Sequence, residues 1–211
     1  EEVILNGLNI PVTDSGYYVD VGIRKMPLPK LKCGENTIVI KAPIAGGVRL
    51  ENYYLLGDFD VETFGCQSVI KKPKKEIAFG SIVHQGMPFY GGNIVYKLKI
   101  NTPNCDIKIR VNKYCGALLH IYVDGVDKGP LVFDPYIKEI ENLSCGEHLV
   151  EIKFFGNRHN TFGALHNCDE AYGYYSPRAW YTENEQWSYD YYFEDTGIMK
   201  SPIIEIYEKD K

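Results

Sequence analysis

The stretch GNRHNTFGALHNCDE, residues 156–170, is the richest cluster of planar and ionisable polar side chains in the chain. Asn157, Arg158, His166, Asn167 and Asp169, beside His159 and Asn160, are groups that can bond adjacent hydroxyls in pairs. Trp180 and Trp187 follow downstream as rings able to lie against an apolar C–H face. Planar polar groups next to large rings suit a ligand-contacting loop. A second stretch, HQGMPFYGG at 84–92, adds His84 and Tyr90 to the candidates, although its glycines and Pro88 equally suit a bend between strands. The polar groups of 156–170 have a competing use too, since loop Asn and His side chains commonly satisfy backbone groups of their own loop.

Other chemistries find little support. Glu183, Glu185 and Asp190 lie close in sequence, and a glycosidase needs two acids flanking the scissile bond. In an extended segment, however, Glu183 and Glu185 fall on one side as a solvated edge, so no catalytic residue is assigned. There is no G-x-S-x-G elbow, no H-E-x-x-H pair and no phosphate-binding glycine loop. Asp and Asn near turns could hold a structural Ca²⁺, but no spacing indicates one, and no cofactor is implied. The cysteines at 33, 66, 105, 115, 145 and 168 include no C-x-x-C pair and are expected to be mostly free thiols.

Composition bounds the class. The 211 residues are 45% hydrophobic and 24% charged, as expected of a globular chain with a real core. A net charge of −5 with scattered basic residues, apart from KKPKK at 71–75, argues against nucleic-acid binding. No apolar run approaches the roughly 18 to 20 residues that span a bilayer, and EEVILNG lacks the regions of a signal peptide, so a soluble chain without membrane partners is expected. Aromatics make up 13%, and most of the Tyr and Trp rings between 174 and 192 are expected to pack in a core.

These residues must be positioned by strands. DIKIRVN at 106–112 alternates apolar and charged residues, NIVYKLKI, HLVEIKF and PIIEIYE behave similarly, and no window sustains a helical stripe. The expected fold is all-β, a sandwich or jelly roll. Asn6-Gly7 and Asp124-Gly125 are tight-hairpin pairs. Each is followed by a stretch with an aromatic and an Asp (GYYVD; VFDPY), and then by LKCGENTIVI at 31–40 or LSCGEHLVEI at 143–152. The chain thus repeats a run of hairpin, connection, turn and strand.

IAFGSIVHQGMPFYGGNIVYKLKI, IYVDGVDKG, LSCGEHLVEIKFFGNRHNTFGALHN and PRAWYTENEQWSYDYYFEDTGI together resemble the galactose-binding-like β-sandwich domains of large bacterial glycoside hydrolases of the family 2 and rhamnosidase types. The resemblance implies a complete jelly-roll sandwich over 67–208. Residues 1–62 would be the second half of a preceding jelly roll, the chain beginning inside it, or else strands added to a sheet edge. It further implies a non-catalytic carbohydrate-binding or accessory module of a multidomain glycoside hydrolase. The partner would be a weakly held glycan or the catalytic domain of the same polypeptide. The rival expectations are a structural interdomain module with no ligand, and a domain lending a loop to the active site of that catalytic domain.

Overall fold

A computed structural model describes residues 2–43, 52–169 and 184–208. The chain divides into two compact units, Glu1–Leu55 and Leu56–Lys211.

In the first unit, β1 (Glu2–Leu5) and β2 (Leu8–Ile10) form a hairpin whose turn residues Asn6 and Gly7 both take positive φ. A two-strand ladder follows, β3 (Tyr17–Tyr18) with β4 (Asp20–Arg24), braced by an ion pair between Arg24 and Asp14. Strand β5 (Ile38–Lys41) returns to pair antiparallel with β1, giving the sheet order β2-β1-β5. Alternation along β1 buries Val3 and Leu5.

The second unit opens with a hairpin, β6 (Asp60–Phe64) and β7 (Gln67–Lys71), then a 3-10 turn at Ile82–Gln85. The remaining strands are β8 (Asn93–Thr102), β9 (Cys105–Arg110), β10 (Tyr114–Cys115), β11 (Leu118–Val123), β12 (Val126–Leu131), β13 (Ile137–Leu143), β14 (Gly146–Phe155), β15 (Gly197–Ile198) and β16 (Ile203–Glu208). They form one sheet in the order β12-β11-β14-β8 and another in the order β13-β9-β16, with β10 and β15 paired beside them. Inward residues of both sheets make a single core: Leu119, Ile121, Val150, Ile152 and Phe154 from one, Cys105, Ile107, Ile109 and Ile140 from the other. The fold is therefore an all-β sandwich, and DIKIRVN alternates because one of its faces is dry. Each large apolar side chain buried here contributes roughly 1.5 to 3 kcal/mol. All six cysteines are free thiols.

The repeated phrase in the sequence is a repeated hydrogen-bonded corner. The Asn6 N–H donates to the Thr37 carbonyl (2.8 Å) and the Thr37 N–H to Asn6 Oδ1 (3.0 Å). Correspondingly, the Asp124 N–H donates to the Leu149 carbonyl (2.9 Å) and the Leu149 N–H to Asp124 Oδ1 (2.8 Å). Asn36 accepts from Asn6 Nδ2 (3.0 Å) and donates to the Lys32 carbonyl (2.9 Å). His148 makes the matching contacts with Asp124 Oδ2 (2.6 Å) and the Ser144 carbonyl (2.8 Å). Between hairpin and corner the copies part: GYYVD makes the β3–β4 ladder, while the chain after VFDPY enters the second sheet as β13.

The two corners differ in charge. Both ring nitrogens of His148 face acceptors, so the imidazolium is the favoured form, and the bond to Asp124 and the Ser144 carbonyl hold its pKa above the usual value. The same bond, with the Leu149 N–H, holds Asp124 below the usual carboxylate value. A raised histidine contributes fully below the ordinary imidazole value of about 6.5 and is lost as pH rises through its folded pKa; a lowered carboxylate contributes above about 3.9 and is lost as pH falls through its own. The His148–Asp124 contribution is therefore greatest between these values. His148→Gln should lower Tm most at mildly acidic pH, and its difference from the native protein should shrink as pH rises through the raised pKa of the folded histidine. A difference constant with pH, measured by thermal melts in matched buffers, would show that the imidazole is neutral in the fold.

The boundary expected between residues 62 and 67 falls inside the β6–β7 hairpin, where Phe64 pairs with Gln67. The hairpin is tied to the rest of the second unit at its base. The buried Asp60 accepts from the Lys74 N–H (3.1 Å), and the Val61 N–H donates to the Gly86 carbonyl (2.7 Å). Gly86 has φ +95, and a Cβ there would stand 2.6 Å from Asp60 Oδ2, so the close approach requires glycine. A chain truncated to begin at Leu56 should thus melt about 4 to 8 °C higher than one beginning at Gln67, which loses both tethers. Equal Tm values by calorimetry would show that the hairpin is an appendage.

Candidate functional site

The candidate residues lie on three connections of the second unit: the turn at 82–92, the loop after β14, and the segment leading to β15. Gly156 follows β14 so closely that a Cβ on it would stand 2.4 Å from the Gly92 carbonyl oxygen. Asn157 then accepts from the His159 N–H (3.1 Å) and starts a single helical turn, α1 (His159–Phe162). Thr161 Oγ1 donates to the Phe89 carbonyl (2.8 Å), joining α1 to the 82–92 turn. Asn160, buried, joins α1 to the third connection, its Nδ2 donating to the Glu194 carbonyl (2.8 Å) and its Oδ1 accepting the Glu194 N–H (3.0 Å).

Beyond α1 the loop runs antiparallel to the third connection as a short ribbon. The Cys168 N–H donates to the Gln186 carbonyl, the Ser188 N–H to the His166 carbonyl and the Tyr192 N–H to the Leu165 carbonyl, with Asn167 and Trp187 bridged. This ribbon brings His166, Asn167, Asp169 and Trp187 together. His166 stacks on Trp187 (centroids 5.4 Å) and leans on Tyr191 (4.7 Å), its Nδ1 facing the Ser188 carbonyl at 2.9 Å. Trp187 meets Tyr189 edge-on (4.4 Å), and Phe89 meets both Tyr191 and Phe193. Trp187, Tyr189, Tyr191 and Phe193 occur at every second residue, and this alternation in WSYDYYFED was a signal available in the sequence. Tyr191 and Phe193 are half-buried, but Trp187 is 38% and Tyr189 70% exposed, so the expectation of core packing fails for the outer rings.

The polar candidates are partly committed to the loop. Asn167 Oδ1 accepts the Asp169 N–H (2.9 Å), and Asp169 Oδ2 accepts from Gln186 Nε2 (2.9 Å). Arg158 is exposed at the start of α1. His84 is exposed with its Nε2 3.9 Å from Asp195, and the Tyr90 hydroxyl donates to the Asn93 carbonyl (3.0 Å), closing the bend that carries it. Burial lowers the His159 pKa, opposed by Glu194 at 3.5 Å. Trp180 and Glu183 lie outside the described residues; Glu185 and Asp190 are exposed. Among the described residues no group of three His, Cys, Asp or Glu side chains could hold a metal ion, and no helix is long and apolar enough to cross a membrane.

Asn160 stood in the polar stretch without being singled out, and it is the residue that fixes the loop. Asn160→Ala should destabilise the second unit by about 1 to 3 kcal/mol, since it leaves the N–H and carbonyl of Glu194 without their partner. A change below about 0.5 kcal/mol in urea unfolding would show that water replaces the amide at no cost.

No protein-family model matches the chain, and no curated protein matches it. Among solved structures, a rhamnosidase from Novosphingobium sp. PP1Y is similar over 80% of this chain at 16% identity, with a TM-score of 0.42. This chain covers 17% of that structure's length, and at that score the likeness carries no weight for function.

Proposed function

We propose that the second unit is a non-catalytic carbohydrate-binding module, of the accessory kind found in multidomain glycoside hydrolases, and that its ligand surface is the ribbon joining 165–169 to 186–192. The observation that supports this reading most is the exposed edge-on pair of Trp187 and Tyr189 beside His166, Asn167 and Asp169. Rings supply area for the C–H face of a sugar, and nearby amide and carboxylate groups supply hydroxyl partners. Arg158, exposed at the start of α1, is assigned to the proposed surface as well.

Such a shallow, wet surface binds weakly, with a dissociation constant from high micromolar to millimolar, about −4 to −6 kcal/mol. Amide NMR titration with galactose, rhamnose, glucuronate and oligosaccharides should shift Asn167, Ser188, Tyr189 and the Trp187 indole N–H together. Trp187→Ala should weaken binding about tenfold, and Arg158→Ala less, because water replaces an exposed polar contact in part. The chain should hydrolyse no aryl glycoside; turnover lost in Asp190→Asn would overturn the non-catalytic assignment. A purely structural role, bracing a catalytic domain, draws on a different observation: Asn167, Asp169 and His166 already have partners within the ribbon. An absence of shifts up to tens of millimolar sugar would favour that role.

A further inference from the structure

The likeness of the two corners extends to strand order and register. In the second unit β12, β11 and β14 lie side by side, and the outer edge of β14 carries β8. In the first unit β2, β1 and β5 lie side by side in the matching order. Leu5 opposite Ile38 and Val3 opposite Ile40 repeat Val123 opposite Val150 and Ile121 opposite Ile152. Among the described residues no strand pairs with the outer edge of β5. The strand is also open to solvent, with Ile38, Val39 and Ile40 40, 42 and 38% exposed, whereas Val150 and Ile152 are 0% exposed. An apolar edge with no charge among these three residues is suited to strand addition.

We propose that the outer edge of β5 is a strand-binding site, and that its occupant is an extended segment of β8 type added antiparallel, completing the first unit's sheet as β8 completes the second's. The second unit specifies the chemistry of this occupant. Leu98 and Tyr96 lie opposite Val150 and Ile152, so the segment carries apolar side chains opposite Ile38 and Ile40. Lys97 lies opposite Glu151 and forms an ion pair with it, but Val39 stands in the place of Glu151, so here the segment is apolar where β8 has lysine. Lys99 reaches Glu147 at 3.1 Å. Glu35, exposed, stands in the place of Glu147, so the segment carries a lysine or arginine two residues beyond that apolar position. Three consecutive apolar residues followed by a basic one, in this register, define the partner.

The test is a synthetic peptide of residues 93–102 bearing Lys97→Val, titrated into the full chain and followed by amide NMR and hydrogen exchange. Saturable shifts centred on 38–41, with slowed exchange of β5 amides, are the expected result. Val39→Lys should weaken binding about tenfold or more, and Glu35→Gln should weaken it less while removing its salt dependence. Unchanged Val3 and Leu5 methyl signals in both variants show that the unit remains folded. Equal binding of a scrambled peptide, shifts confined to the second unit, or no shifts at millimolar peptide would overturn the proposal. So would concentration-dependent dimerisation of the chain abolished by Val39→Lys, which would make a second copy the occupant.

Discussion

Strand β14 has neighbours on both edges and buries Val150, Ile152 and Phe154 completely, and the second unit is organised around that dry face. Its ladder to β8 runs the length of both strands, from Gly146 opposite Thr102 to Phe155 opposite Asn93. Because side chains alternate, a slip of one residue would turn Phe154 outward and Lys153 inward, so the register is fixed by the cost of burying charge. The start of β14 is set by the Asp124–His148 corner, and its end delivers the chain to Gly156 against the Gly92 carbonyl. The candidate surface begins where this strand stops, so its position follows from the core.

Much of this was legible because the signals were local. Alternation in DIKIRVN and HLVEIKF gave strands with one buried face, and Asn6-Gly7 and Asp124-Gly125 gave hairpins, since few residue pairs accept positive φ at both positions. The matching L-x-C-G-E phrases marked equivalent turns. The hairpin of β6 and β7 was not legible, because QSVIK is exposed along its whole length and its pattern marks no buried face. Its attachment depends on Asp60 meeting Gly86, a contact between residues far apart in sequence.

The candidate surface was readable by residue type and not by geometry. GNRHNTFGALHNCDE announces polar chemistry, but which groups face outward is decided by the ribbon to 186–192. That pairing leaves Trp187 and Tyr189 at the rim and commits Asn160 to Glu194. His84 and Tyr90 shared the expected composition, yet one pairs distantly with Asp195 and the other closes its own bend. Composition named the ingredients, and long-range pairing assigned their roles.

The stacking of Trp187 on His166, with Tyr189 at its edge, has an optical consequence. The chain holds two tryptophans, and Trp187 is the one among the described residues. Indole fluorescence responds to solvent contact and to an adjacent imidazole, and Trp187 has both. Anything that settles on the ribbon and displaces water from that ring would alter its colour and brightness, making the surface a built-in reporter of its own occupancy.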